Sequence, residues 1–299
     1  MSEASLHTPF GRVITAMVTP MRPDGSIDAK GARAVVEHLI DLGHDGIVVN
    51  GTTGESPTLT AEESIEMVSL VAETAAGRAA VTAGVGSNAT AHSVDMARRA
   101  QDAGADALLL VSPYYNKPTQ AGLTEHCRTV AGTTDLPVML YDIPGRTGTP
   151  FTTETLIELA AEPTITAVKD AKGQPWASSH VMAATDLLWF SGADEQNLSL
   201  LAEGATGVVS VVGHVAGRQY AEMVAAMDAG DVATAREIHR RLIPAVDALM
   251  TTSQGAIMAK AALVELGVIE HASVRLPYVE GPPEDLDILR AGLREAGLL

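Results

Sequence analysis

Eight short runs rich in Val, Ile and Leu recur along the chain, separated by Ala-rich segments with helical spacing. In order they are VITAMVTP (13–20), GIVVNG (46–51), AVTAGVG (80–86) and ADALLLVSP (105–113). PVMLYDIP (137–144), ITAVKDA (165–171), LLWFSGAD (187–194) and TGVVSVVG (206–213) complete the set. Most are continuously apolar rather than alternating, which is the pattern of strands covered on both faces. Between the first two, Ala32, Val35, Val36, Leu39 and Ile40 share one helical face. Thr60 and Glu63 have capping-box spacing ahead of the next stripe, and Gly43, Gly77 and Gly104 stand where helices stop. Strands alternating with helices eight times predict a parallel (β/α)₈ barrel, the TIM-barrel arrangement. The competing architecture is an open doubly wound sheet. Its nucleotide signature is missing, because the one Gly-rich strand end, GVGSNAT (84–90), lacks GxGxxG spacing. After the eighth unit the sequence stays helical through 219–250, 255–267 and 284–299. The expected organisation is a catalytic barrel over 1–224 and a C-terminal helical appendage, packed on it, over 225–299.

Charge and cysteine content narrow the function classes. A net charge of −17 argues against nucleic acid and against anionic membrane surfaces as partners. Cys127 is the single cysteine, so no intrachain disulfide forms, which fits a reducing compartment; on a helix it reads as a small hydrophobe. The opening MSEASLHTPFGR lacks a basic and then apolar export signal, and no apolar run approaches the roughly 18 residues of a membrane span. A cytoplasmic protein is expected.

Within ITAVKDAKG (165–173), Lys169 interrupts an apolar strand. Lysine is almost never fully buried unless it is paired or used. Either the strand ends at Val168 and Lys169 reaches solvent, or the amine is functional. Lys172, past the strand, reads as a solvated loop charge. In a barrel, catalytic groups sit at the C-terminal ends of strands and in the loops that follow. Those positions carry GTTGES (51–56), SPYYNKP (112–118), YDIPGRTG (141–148), Lys169 and SGADEQN (191–197). Of five tyrosines, Tyr114, Tyr115 and Tyr141 fall at the ends of strands four and five. Each feature has a plain alternative. Tyr141 serves equally as a core aromatic, Tyr114 and Tyr115 as an interface patch, and Arg146 as a solvated charge. The GTTG stretch also suits a tight turn whose hydroxyls cap a helix. Asp142, Asp170, Asp194, Glu55, Glu195 and His214 are metal-capable residue types, although no spacing groups them as ligands.

Taken together, the rim residues fit one chemistry. A lysine desolvated by Val168 and Ala171 has a lowered pKa, and its neutral amine attacks a ketone to form a Schiff base. Tyr141 on the neighbouring strand is placed to shuttle protons, with Thr53 and Tyr115 relaying outward. The GTTG hydroxyls and N–H groups suit a small carboxylate, and Arg146 offers a fork for a second. A lysine-imine aldolase handling two small acids follows, with no metal and no cofactor beyond the covalent imine. A metal-dependent barrel lyase is the alternative of a different class.

These motifs resemble those of the pyruvate-dependent class I aldolases, the dihydrodipicolinate synthase and N-acetylneuraminate lyase family. GTTGES, SPYYNKP, YDIPGRTG, VKDAKG and SGADEQN…GATGVVSV occur in the family's order, and the resemblance runs from about residue 11 to the C-terminus. YDIPGRTG and the double tyrosine most resemble the synthase branch. Membership in that branch implies condensation of pyruvate with L-aspartate 4-semialdehyde in the diaminopimelate route to L-lysine. The alternative within the family is a lyase for a 2-keto-3-deoxy or sialic sugar acid. The resemblance implies Lys169 as the imine-forming residue and Tyr141, Thr53 and Tyr115 as the proton relay. Thr52 and Thr53 hold the pyruvate carboxylate, Arg146 the semialdehyde's, and Gly192 and Val209 line the pyruvate pocket through their backbones. It also implies a homotetramer, a dimer of dimers, with Tyr115 at the dimer contact. One departure stands out. Lysine-inhibited relatives grip the effector with histidines and a glutamate, and the matching positions here are Ala61, Ser64 and His92, beside Asn88 and Tyr114. Losing the carboxylate removes a partner for the lysine ammonium, so weak or absent feedback inhibition is expected.

Overall fold

The computed structural model describes residues 8–299. The first seven, which carry part of the expectation about an export signal, lie outside the described residues. Eight parallel strands close on themselves in chain order. They are β1 (Val13–Ala16), β2 (Gly46–Val49), β3 (Ala80–Gly84), β4 (Ala107–Val111), β5 (Val138–Asp142), β6 (Ile165–Asp170), β7 (Leu188–Ser191) and β8 (Gly207–Ser210). β1 pairs with β8, so no sheet edge is left open. Helices alternate with the strands: α1 (Ala29–Asp41), α2 (Ala61–Ala75), α3 (Thr90–Asp102) and α4 (Gln120–Ala131). The series continues with the short α5 (Pro144–Thr147), α6 (Thr153–Leu159), α7 (Pro175–Ala184), α8 (Asn197–Glu203) and α9 (Gly213–Asp228).

Local chemistry starts and stops these helices as the sequence indicates. Asp28 caps α1, and Thr60 with Glu63 closes the full capping box on α2. Gly43 and Gly104 follow helix ends at φ +89° and +93°, a region that costs a side chain but not glycine. The core has two layers. Strand residues such as Leu108, Leu140 and Val168 face outward into one cluster with the helices. Their neighbours Leu109, Tyr141 and Ala167 face the barrel interior. Phe10 and Phe190 meet edge to face inside, ring centroids 6.0 Å apart. Cys127 is a buried free thiol on α4, its pKa pushed up to about 12 by burial.

Three further helices follow: α10 (Val232–Met250), α11 (Gly255–Glu265) and α12 (Pro283–Glu295). The expected boundary at 224/225 falls inside α9, which runs on to Asp228 and closes the eighth unit; the appendage begins with α10 at Val232. Its Leu242, Leu249, Met258, Leu263 and Leu289 belong to the same apolar cluster as the barrel helices. α12 packs tightly on α10 at Gly292, where an added Cβ would stand 2.5 Å from the Pro244 carbonyl oxygen. No helix among the described residues is long and apolar enough to cross a membrane.

Candidate active site

Side-chain alternation puts Lys169 on the interior face of β6, two residues beyond inward-facing Ala167. The β5–β6 register steps by one residue between Val138 and Met139, after which Tyr141 stands directly beside Lys169. Continuing the Val138–Ile165 pairing without that step would set Tyr141 beside Val168, which faces the other way. Lys169 is 5% exposed, and its Nζ lies 4.2 Å from the Tyr141 ring centroid. Burial lowers the amine's pKa to about 8; Asp194 opposes the shift and the Arg146 guanidinium adds to it. Burial raises the Tyr141 phenol well above its ordinary value, and Arg146 pulls it partly back.

The two groups open on a cavity of about 190 Å³ whose walls include Thr52, Thr53, Arg146 and Gly192. A second space of about 230 Å³ continues from it past Tyr114 and Tyr278, sharing Thr52, Tyr141 and Arg146. Gly192 is required by close approach, since a Cβ there would stand 2.8 Å from Lys169 Cγ. The Thr52–Thr53 turn is held between two left-handed residues, Asn50 (φ +57°) and Glu55 (φ +58°). Asn50 Nδ2 donates to the Ser64 carbonyl at 2.7 Å, and Thr19 Oγ1 donates to the Gly54 carbonyl at 2.7 Å. Arg146, on α5, is exposed at the rim with its fork toward both spaces, and no carboxylate pairs with it among the described residues. Inside an acidic protein, Lys169 and Arg146 make this cavity attractive to small anions.

Not every residue picked from the sequence lines this cavity. The Val209 side chain faces the barrel interior, in the same apolar cluster as Tyr141, while Val211 reaches the cavity wall. Tyr115, also left-handed at φ +74°, is 89% exposed and points away from its own barrel, whereas Tyr114 faces the second space. Of the carboxylates considered as metal ligands, Asp142, Asp170, Asp194 and Glu55 are bonded to protein donors, while Glu195 is exposed at the cavity wall. Asp194 accepts from the Val211 and Val212 amides at 2.9 and 3.2 Å and from Ser210 Oγ. Asp170 accepts from Trp189 Nε1 at 3.2 Å and the Lys172 amide at 2.8 Å. His214 receives the Val18 amide on Nε2 and donates from Nδ1 to the Val211 carbonyl, and burial lowers its pKa to about 3.

Lys172 is not the solvated loop charge the sequence indicated. Its side chain is buried, with Nζ 3.3 Å from Asp142 and donating to the Phe151 carbonyl at 3.2 Å. The strand ends curl it back against Asp142, one residue beyond Tyr141, whose carboxyl burial raises to about 6 against the pull of Lys172. Sequence reasoning also passed over the C-terminal contributions: Met250, Gln254 and Tyr278 face the two spaces, and Lys260 is fully buried against Glu55. One signal was present, a lysine inside the apolar helix GAIMAKAALVE.

The sequence profile of the Dihydrodipicolinate synthetase family matches residues 9–296. The chain belongs to that family. It is 54% identical over 290 residues to the 4-hydroxy-tetrahydrodipicolinate synthase of Kineococcus radiotolerans, covering 97% of this chain and 94% of the relative. The crystal structure of the Cyanidioschyzon merolae enzyme with lysine bound superposes with a TM-score of 0.95 at 41% identity, covering 98% of this chain and all of that one. The Acinetobacter baumannii dihydrodipicolinate synthase complexed with pyruvate gives 0.93 at 36% identity, covering 98% of this chain and 100% of that one. Family membership agrees with the resemblance read from the sequence, and the closed barrel with the expected fold.

Proposed function

We propose that the chain carries 4-hydroxy-tetrahydrodipicolinate synthase activity, condensing pyruvate with L-aspartate 4-semialdehyde in the diaminopimelate route to L-lysine. The observation that carries this reading is Lys169, a buried amine lowered to about 8 and set beside Tyr141 in a cavity walled by Thr52, Thr53 and Arg146. Its neutral Nζ adds to C2 of pyruvate, the carbinolamine loses water, and an imine remains. Loss of a C3 proton gives the enamine, whose carbon attacks the semialdehyde's C4 carbonyl; the new alkoxide takes a proton. The semialdehyde's amino group then adds to C2, closing the ring, and Lys169 leaves as the free amine.

Tyr141 stays protonated at neutral pH and is positioned to donate at the carbinolamine and alkoxide stages, with Thr53 and Tyr115 relaying protons outward. Thr52 and Thr53 take the pyruvate carboxylate, Arg146 takes the semialdehyde's, and the backbone of Gly192 closes the pyruvate pocket, with a part for the Val209 backbone resting on the family resemblance alone. The imine is the electron sink, so the reaction calls for no metal or added cofactor. Tyr115 is too far out to serve its own barrel, which supports a relay completed by a second copy within a homotetramer built as a dimer of dimers. The cytoplasm, where both small acids are metabolised, is the proposed location.

Borohydride reduction with pyruvate, followed by peptide mass mapping, tests the chemistry. A pyruvate adduct on Lys169 is expected; no adduct, or one on Lys172, overturns the mechanism. Comparing kcat/KM for the semialdehyde and for sugar acids, with Arg146→Ala alongside, tests the substrate. Preference for a sugar acid that survives Arg146→Ala would move the chain to the lyase branch.

A further inference from the structure

A buried ion pair lies behind the Thr52–Thr53 turn, more than two hundred residues apart in sequence. Glu55, 1% exposed, accepts from Nζ of Lys260, which is 0% exposed. The other Glu55 oxygen accepts the Arg275 backbone N–H at 3.0 Å, and Lys260 also donates to the Ser273 carbonyl at 2.7 Å. Both carboxylate oxygens and the ammonium are therefore engaged within the protein. The turn itself is short: Gly54 N–H reaches the Gly51 carbonyl at 3.0 Å, and Glu55 N–H reaches Thr52 at 3.1 Å. A non-glycine residue in the left-handed region persists only where its surroundings over-determine it. For Glu55, at φ +58°, those surroundings are Lys260 and residues 273–275.

A buried pair is a poor device for stability alone. Apolar residues of similar volume often replace one without loss, whereas its directional contacts hold an orientation. We infer that the Glu55–Lys260 pair, together with the Arg275 N–H, is a positioning device for the Thr52–Thr53 turn, through which the C-terminal helical region sets the pyruvate-carboxylate subsite. The inference rests on the reading of that turn as the carboxylate subsite. It makes Glu55 and Lys260 positioning residues that touch no substrate. It also gives α11 a part in binding that its distance from Lys169 in sequence conceals.

Steady-state kinetics of the full chain in its native assembly provide the test. The variant Glu55→Met/Lys260→Met substitutes an apolar pair and is expected to fold. Its KM for pyruvate is expected to rise on the order of 100-fold, as a misplaced subsite requires, with a smaller change in kcat and none in KM for the second substrate. Glu63→Gln, which weakens the outer Arg275–Glu63 tether (2.5 and 2.8 Å) on the same segment, is expected to lower thermal stability and leave KM for pyruvate unchanged. A merely structural pair lowers the amount of active protein without moving KM. An unchanged KM in the double variant overturns the inference, as does a double variant that does not fold. Borohydride trapping on the unmodified chain separates the two readings. Trapping on Lys169 with an unmoved KM removes only the positioning role, whereas no trapping on Lys169 removes the functional reading beneath it.

Discussion

At the scale of single residues, Lys169, the proposed imine-forming amine, is a charge buried at a cost in stability. Its pKa falls from 10.5 to about 8 because burial disfavours the ammonium. The folded state therefore binds fewer protons than the unfolded state between those values, and stability rises with pH across that window. Below pH 8 the whole deficit is present, about 3 kcal/mol by proton linkage. Lys169→Met removes the charge and keeps the bulk, so its melting temperature is expected to exceed the parent's by several degrees at pH 7. The gap should narrow as the pH approaches 10. Thermal melts of both chains at the two pH values check this, and a variant no more stable at pH 7 contradicts it. In the parent, kcat/KM for pyruvate is expected to climb with pH up to about 8, as the free amine accumulates, and then level. Lys169 was legible from sequence because a cation inside a β-branched run has few innocent explanations. Lys260 is more deeply buried yet was not, because lysine is an ordinary helix former and its partner Glu55 lies 205 residues away. Lys172 was misread for a related reason: the chain curls it back onto Asp142, and no local pattern announces that.

At the scale of elements, the eight strands were legible to within a few residues because both of their faces are buried, which leaves an unbroken apolar signature. The one-residue step between β5 and β6 was not legible, since it is a property of pairing and not of either strand. The same holds for the spaces between elements. Ala61 and Ser64 of α2 and His92 of α3 do come together with Tyr114, around a cavity of about 110 Å³. No carboxylate lies among its walls, so an amino-acid ammonium entering it finds no opposite charge. Since an ion pair stripped of one partner leaves the other charge uncompensated, L-lysine is expected to inhibit weakly or not at all. A steady-state assay across millimolar L-lysine checks this; half-inhibition in the low-millimolar range would show that the cavity grips the effector by other means.

At the scale of the whole molecule, the folded chain leaves one of its reactive residue types facing outward. Tyr115 is held in a left-handed conformation and stands 89% exposed on the loop after β4, while every other group assigned to proton transfer is buried in the barrel. An exposed tyrosine in a strained backbone is costly unless something covers it, and tyrosine is a residue type favoured at subunit contacts. In the proposed two-fold assembly the same patch of each copy faces the other, so one chain's Tyr115 would complete the other chain's relay. Two inactive variants should then rescue each other. A chain bearing Lys169→Ala still presents Tyr115, and a chain bearing Tyr115→Phe still holds the amine. When equal amounts are dissociated and reassembled, half of the pairs are mixed, and each mixed pair contains one site with both groups intact. About a quarter of the parental activity is expected on that statistical basis. Activity measured on the reassembled mixture, against each variant treated alone, decides the matter. No recovery in a mixture shown by mass spectrometry to contain mixed pairs would place Tyr115 outside the relay, leaving Tyr141 and Thr53 to carry the proton within one chain.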